Sequence, residues 1–169
     1  MANSEALQDA IPVFCTAPIS QEVLNEFFTR SLAAPELEGA DWISVLVNTL
    51  DVAALNEPTR APVGQPTSYP FRDWSAEDVA KFAQEHFDRA RQGIVPGHLV
   101  ILDEQTMDDK TCLLVTLKEG REAEGELLIV RADFRSSLVL LNVKAMGVGG
   151  DGHFETVDTD GVIRLGSAT

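Results

Sequence analysis

The stretch "HLVILDEQTMDDKTCLLVTLKEGREAEGELLIVRAD" (residues 98–133) decides the fold, because it holds three apolar runs separated by two short polar connections. The runs, HLVILD, TCLLVTL and ELLIVRAD, have the length and the Leu, Val and Ile content of β-strands. The connections, EQTMDDK and KEGREAEG, are too short for the crossover helix that joins parallel strands. The stretch therefore predicts an antiparallel meander.

These runs are nearly continuous rather than alternating, which predicts a sheet covered on both faces. Downstream, SLVLLNV (137–143) predicts a sixth strand and VIRL (162–165) a short terminal one. The segment HFETVDTDGVIRL (153–165) fits two structures. One is a hairpin closed by the D-T-D-G turn, and the other, which we favour, is a short helix capped by Asp151 and followed by the terminal strand.

The N-terminal part predicts a βαβ unit followed by a second helix. IPVFCT (11–16) and DWISVLVNTL (41–50) have the character of strands, and SQEVLNEFFTRSL (20–32) between them has a helical apolar spacing with Ser20 as N-cap. SAEDVAKFAQEHFDRARQG (75–93) predicts a helix that is closed by Gly93. The expected fold is α/β (α+β): a single mixed sheet of five to seven strands with a βαβ start, an antiparallel late meander and two main helices.

Composition favours one acidic domain. The chain has 169 residues, 44% of them hydrophobic, and a net charge of −14, so an anionic partner such as nucleic acid or an anionic membrane surface is disfavoured. It opens without a secretory signal and holds no apolar run of membrane-spanning length. We expect a cytoplasmic protein, a single domain over 1–169 with a tail at 1–10, whose partner is another protein or a second copy of itself.

A glycine-rich stretch, MGVGGDG (146–152), matches the dinucleotide-binding pattern G-x-G-x-x-G but lacks its context. Only 17 residues follow Gly152, too few for a crossover helix and a second strand that carries the ribose-binding acid. We predict a flexible insertion there. The following TVDTDG (156–161) has no glutamate at the last position of a calcium loop and no room for a second helix.

Cysteine and histidine spacing predicts no metal site and no cofactor. Cys15 and Cys112 lie in apolar runs and form no C-x-x-C pair, which is typical of buried, unreactive thiols. The histidines, His86, His98 and His153, show none of the short spacings by which zinc ligands recur.

A proline-rich loop (51–74) separates the second strand from the second helix. Its prolines recur every fourth residue from Pro58 to Pro70, which excludes an interior helix or a central strand. Two alternatives remain: a surface loop pinned by its aromatic residues, and a lid or partner-binding loop. The candidate binding residues in the second case are Arg60, Tyr69, Arg72 and Trp74.

Three polar residues follow the first three predicted strands and form the candidate catalytic group. If those strands are parallel neighbours, Thr16, Asn48 and Asp103 converge at one sheet edge, where α/β proteins bind ligands. A partly desolvated Asp103, with Glu104 beside it, could act as a general base. The alternative is ordinary strand-end and turn chemistry.

Three stretches carry a resemblance to a known family: GHLVILDEQTMDDKTCLLVTL (97–117), LVLLNV (138–143) and VDTDGVIRL (157–165). They resemble the family called domain of unknown function 6924, and VFCTAPISQEVLNEF and FRDWSAEDVAKFA fit it more loosely, so that the resemblance covers most of 11–165. The 51–70 loop and KAMGVGGDG depart from the family's pattern. The resemblance implies an α/β fold with a mostly antiparallel late sheet and a helix before the terminal DGVIR, and it supplies no catalytic residues.

The sequence thus favours a protein-interaction or regulatory binding module. The alternative is a small enzyme, such as a hydrolase, an isomerase or a pathway accessory, with a carboxylate pocket near Asp103. A third possibility is an oligomer in which a second copy covers an open sheet face.

Overall fold

A computed structural model of the chain describes residues 10–33, 43–55, 57–59, 61–88, 92–117, 127–145 and 161–163. These residues form one six-stranded sheet, four helices and a single 3-10 turn at Val52–Ala54. The strands are β1 (Ile11–Cys15), β2 (Ser44–Val47), β3 (His98–Leu102), β4 (Thr111–Leu117), β5 (Leu127–Asp133) and β6 (Val162–Ile163). The helices are α1 (Gln21–Arg30), α2 (Ala76–His86), α3 (Glu104–Asp109) and α4 (Phe134–Ala145).

The sheet has the order β2-β1-β3-β4-β5-β6 and is mixed, which confirms the predicted fold class. Parallel pairing of β1 with β2 and with β3 gives the expected βαβ start. The run β3-β4-β5 is antiparallel, as the short connections require. The terminal strand β6 pairs in parallel with β5, through Val162 opposite Arg131.

The predicted strand at 137–143 is wrong, because this segment lies inside helix α4. The Asp133 carboxylate accepts a hydrogen bond from the Ser136 amide (2.9 Å) and so caps the helix start. Every residue from Ser136 to Leu141 is buried. A helix buried on all sides has no apolar stripe, and its sequence then looks like a buried strand.

Serine caps begin the two predicted helices where expected. The Ser20 hydroxyl accepts from the Val23 amide (3.2 Å) at α1, and the Ser75 hydroxyl accepts from the Asp78 amide (3.1 Å) at α2. Each cap satisfies one of the amides that the first helical turn leaves unpaired. Among the described residues, no helix is long and apolar enough to cross a membrane.

Helix α2 ends at His86, whereas the sequence predicted that it would continue to Gly93. Phe87 leaves the helix in an extended conformation (φ −101°, ψ 141°), and its buried ring lies 6.2 Å from that of Phe14. We attribute the early end to burial of this ring against the sheet. Gly93 instead occupies a turn with positive φ (79°) before β3.

Two hydrophobic clusters lie on the two faces of the sheet. The predicted cover on both faces is found over β1, β2 and β3, whereas β5 is mostly only partly buried and its Ile129 is exposed. On one face, α1 and α4 meet through the rings of Phe27 and Phe134, whose centroids are 5.2 Å apart. On the other face, α2 and the buried ring of Phe71 cover β1, β2 and β3. The end of the proline-rich loop therefore forms part of the core.

The outer edge of β2 is closed by one residue of the proline-rich loop. The Thr59 amide donates to the Ser44 carbonyl (2.8 Å), and the Thr59 hydroxyl accepts from the Leu46 amide (2.7 Å). Both β2 groups point away from β1, because backbone groups alternate sides along a strand. Thr59 thus replaces the neighbouring strand that β2 lacks.

Several predicted features lie outside the described residues. They are positions 1–9 of the tail, Arg60, the 146–152 glycine-rich stretch, His153 and the helix expected after Asp151. Ala10, which the prediction placed in the tail, is buried and bridges to Ile94.

Candidate functional site

Asp103, the candidate base, lies between β3 and α3 and caps that helix. Its carboxylate accepts from the Thr106 amide (3.1 Å), and the Thr106 hydroxyl accepts in return from the Asp103 amide (2.9 Å). This reciprocal pair is a capping box, with Asp and Thr in its two positions. The polar connection EQTMDDK, predicted only as a link between strands, is therefore mostly helix.

The Asp103 carboxylate also forms a bidentate ion pair with Arg131 of β5. The two guanidinium nitrogens donate to its two oxygens, at 3.3 Å for Nη1 to Oδ1 and 2.5 Å for Nη2 to Oδ2. The Arg131 side chain is only 13% exposed and that of Asp103 23%. Both carboxylate oxygens are thus occupied by contacts that hold the fold together.

Arg131 extends this network across β4 to a second carboxylate. Its Nη1 donates to the Thr111 hydroxyl (3.0 Å), which in turn donates to Asp109 (2.5 Å). Partial burial alone would raise the pKa of the Asp109 carboxyl. Hydrogen bonds from Thr111 and Gln105, together with the Arg131 charge, outweigh that effect and hold this pKa below its usual value.

The other two candidate residues lie at the same edge of the sheet. Continuing the parallel register places Thr16 beside Asp103, and the Thr16 amide donates to the Leu102 carbonyl (3.0 Å). The Thr16 carbonyl accepts from the Asp73 amide (2.8 Å), so the 71–74 turn lies over the end of β1. Asn48 follows β2 and is exposed to solvent. The structure therefore brings Thr16 and Asp103 together at one edge, where the Thr16 amide donates to the Leu102 carbonyl and the Asp103 amide to the Thr106 hydroxyl.

The proline-rich loop is attached to the start of α1 by polar contacts. The Asn25 side chain donates to the Val63 carbonyl (3.1 Å) and accepts from the Val63 amide. The Tyr69 hydroxyl donates to the Ile19 carbonyl (2.7 Å) and accepts from the side-chain amide of Gln65 (2.9 Å). These contacts match the pinned-loop alternative, with polar groups doing much of the pinning.

The end of this loop holds Trp74 in a rigid aromatic cluster. The Trp74 ring makes edge-to-face contacts with Phe71 and Phe82, with centroids 4.9 Å and 5.8 Å away. Phe71 is completely buried, whereas Trp74 is only partly buried. The core thus fixes the position of an aromatic side chain that remains in contact with solvent.

An open groove of about 340 Å³ runs between the 71–74 turn and the outer face of α2. Its helical residues recur at the spacing of one helix face. None of its charged side chains forms an ion pair with another described residue. The groove is lined by aromatic and charged side chains: Asp73, Trp74, Asp78, Lys81, Phe82 and Glu85.

Sequence reasoning selected Trp74 but missed the other residues of this groove. Asp78, Lys81 and Glu85 are charged residues of the predicted helix and were not among the candidate binding residues. The signal that could have singled them out is their i, i+3, i+7 spacing close to an aromatic turn. Arg72, the remaining candidate of the loop, is exposed next to this turn.

A second groove of about 370 Å³ lies beside the β2 edge. Its lining residues include Leu46, Leu55, Pro62 and Val63, and Glu57 is the charged one. Neither groove is lined by Thr16, Asn48 or Asp103.

The two cysteines and the two described histidines lie in surroundings that indicate a role in the fold rather than in a reaction. Cys15 and Cys112 are free and buried, and burial raises the pKa of Cys15 to about 12 and that of Cys112 still further. The His86 ring lies 4.3 Å from the Phe82 ring, and His98 Nδ1 is hydrogen-bonded to the Thr116 hydroxyl. In the described part of the chain, no three His, Cys, Asp or Glu side chains are grouped so that they could hold a metal ion.

Comparison with protein-family models, with curated proteins and with solved structures gives no match to this chain. The resemblance to domain of unknown function 6924 therefore stays a prediction.

Proposed function

We propose that the chain is a protein-binding module and that it binds its partner in the groove between the 71–74 turn and α2. The observation that carries the proposal is the position of Trp74, which is fixed by Phe71 and Phe82 yet partly open to solvent. Tryptophan is enriched among the residues that dominate binding energy at protein interfaces. A side chain that is already immobilised loses little conformational entropy when a partner covers it.

The alternative of a small enzyme with Asp103 as general base has less support. A general base must reach the substrate proton with an available carboxylate oxygen. Both Asp103 oxygens accept from Arg131, and one of them also caps α3. Releasing this carboxylate would cost the fold an ion pair and a helix cap.

Selection from a phage-displayed library of random peptides tests the proposal. We expect enriched peptides whose affinity for the purified chain, measured by calorimetry, falls by about tenfold or more with Trp74→Ala. Trp74→Phe keeps an aromatic ring against Phe71 and should lose less affinity. This variant shows whether the loss in Trp74→Ala comes from the missing ring contact rather than from misfolding. Glu77→Gln serves as the control, because Glu77 is exposed on α2 but does not line the groove. A selection that enriches nothing, or peptides that bind Trp74→Ala unchanged, would contradict the proposal.

A further inference from the structure

We propose that the groove receives a basic segment of the partner protein, with an arginine or lysine side chain held between Trp74 and the surrounding carboxylates. This inference rests on the proposed function and specifies the chemistry of the partner. The charge, the aromatic lining and the length of the groove all favour such a segment.

The charge of the groove favours a cation. The lining carries three negative charges and one positive charge. The negative charges are the carboxylates of Asp73, Asp78 and Glu85, and the positive one is the ammonium group of Lys81. All four side chains are exposed, and none is paired with another described residue, so their charge is available to a ligand. The chain as a whole carries −14, and its long-range field draws positively charged segments toward it.

The aromatic lining favours the same ligand. Trp74 and Phe82 line the groove together with the carboxylates. A guanidinium or ammonium group is attracted to the face of an aromatic ring, most strongly to that of tryptophan, and a guanidinium can also stack on it. An aromatic surface with acids around it therefore binds a basic side chain through both its apolar stem and its charged head.

The length of the groove suggests how the basic residues are spaced. Asp78 and Glu85 are seven residues apart on α2, which corresponds to about 10 Å along the helix axis. A peptide in the polyproline II conformation has three residues per turn and rises about 3.1 Å per residue, so side chains three positions apart lie on the same side, about 9 Å from each other. Basic residues three positions apart can therefore reach both carboxylates, while Lys81 between them disfavours a third positive charge.

The test uses a blocked hexapeptide, acetyl-Gly-Arg-Ser-Gly-Arg-Gly-amide, and its analogue with citrulline in place of both arginines. Citrulline keeps the shape of arginine without its charge. In an NMR titration of the full chain, the arginine peptide should shift the Trp74 indole N–H and the amides of Asp78 and Glu85. It should bind about tenfold more tightly than the citrulline peptide and lose affinity as salt is added.

Three variants sharpen the test. Glu85→Gln should weaken the arginine peptide several-fold, and Lys81→Met, which removes the competing charge, should strengthen it. Glu77→Gln, on the same helix but outside the groove, should leave its affinity unchanged.

Each contrary result is informative. Equal affinity for the arginine and citrulline peptides at the groove would overturn the basic-segment inference while leaving a docking surface that depends on Trp74. If arginine amide alone binds as tightly as the peptide, the groove binds a small cation rather than a segment of a partner protein, and the inference is wrong. Shifts that lie outside the groove, together with a library that gives no Trp74-dependent peptide, would overturn both proposals.

Discussion

Asp103 and Arg131, 28 residues apart in the chain, form a bidentate ion pair that joins the start of α3 to β5. The guanidinium group is mostly buried and has Thr111 as a further partner. Loss of the carboxylate would leave this mostly buried cation without its bidentate partner. The side chain that looked most like a catalytic base is therefore a main connection between the helix and the sheet.

Separating the two roles of Asp103 tests this assignment. Asparagine caps helices as well as aspartate does, so Asp103→Asn removes the charge and keeps the cap. We expect it to lower the free energy of unfolding by about 1–2 kcal/mol, and Asp103→Ala to lower it by about 1 kcal/mol more. Urea denaturation monitored by circular dichroism measures both.

A double-mutant cycle with Arg131→Met provides the control. In the wild-type background this change should destabilise, and in the Asp103→Asn background it should cost about 1 kcal/mol less, because the pair is already broken. Additive effects of the two changes would show that the pair contributes nothing to stability.

Much of the fold could be predicted, because its strands are apolar runs with clear ends. The lengths of the connections fixed the antiparallel order of β3, β4 and β5. Helix α4 was missed, because burial on every side removes the periodicity by which a helix is recognised. The capping Asp133 and the serines after it were the one local sign of a helix start there.

The site was less predictable, because it depends on residues far apart in sequence. The contact between Arg131 and Asp103 follows from strand register, which an apolar run without alternation does not specify. The orientation of Trp74 follows from burial of Phe71, a tertiary packing event. The sequence identified Asp103 and Trp74 as candidates. It could not show that the Asp103 carboxylate is paired with Arg131 or that the Trp74 ring is partly exposed to solvent.

Two serines, one with a hydrogen-bonded hydroxyl and one without, give a second prediction. The Ser44 hydroxyl is buried without a hydrogen-bond partner among the described residues, whereas the Ser75 hydroxyl caps α2. Ser75→Ala should therefore destabilise by about 1 kcal/mol. Ser44→Ala should be neutral or stabilise by up to about 1 kcal/mol, since it removes an unsatisfied polar group. Thermal and urea unfolding of the two variants compare them directly, and equal losses would contradict the hydrogen-bond assignment.

Tyr69 gives a pH-dependent prediction. Burial raises the pKa of its phenol above the usual 10.0, nearby Cys15 adds to the rise, and the Gln65 hydrogen bond opposes it. Because the folded value is raised, the stability contributed by the neutral phenol is fully present below the unfolded pKa and is lost as pH rises through the folded one.

Tyr69 is the only tyrosine of the chain, so phenolate absorbance reports it alone. The titration midpoint of the native chain should lie above that of the chain in concentrated urea. Tyr69→Phe, the control, should abolish the signal and flatten the loss of stability on the alkaline side. Coincident midpoints in the two states would mean that the phenol is not in the environment described.

The two cysteines should not react in the native state. The thiolate is the reactive form, and burial raises the pKa of both Cys15 and Cys112. A disulfide reagent at mildly alkaline pH should therefore label neither thiol until urea unfolds the chain, and then label both. Cys15→Ala should halve the final labelling, and immediate labelling of native protein would contradict the burial of the thiols.

The contact of Thr59 with β2 also bears on how copies of this chain behave together. Thr59 engages two outward backbone groups of β2, the Ser44 carbonyl and the Leu46 amide, which makes this edge a poorer template for a strand from another molecule. Thr59→Val preserves the shape of the side chain but frees the Leu46 amide. Its first consequence should then be self-association and turbidity in concentrated solution, at temperatures where the isolated molecule is still folded. One hydroxyl group would thus guard this protein against aggregation.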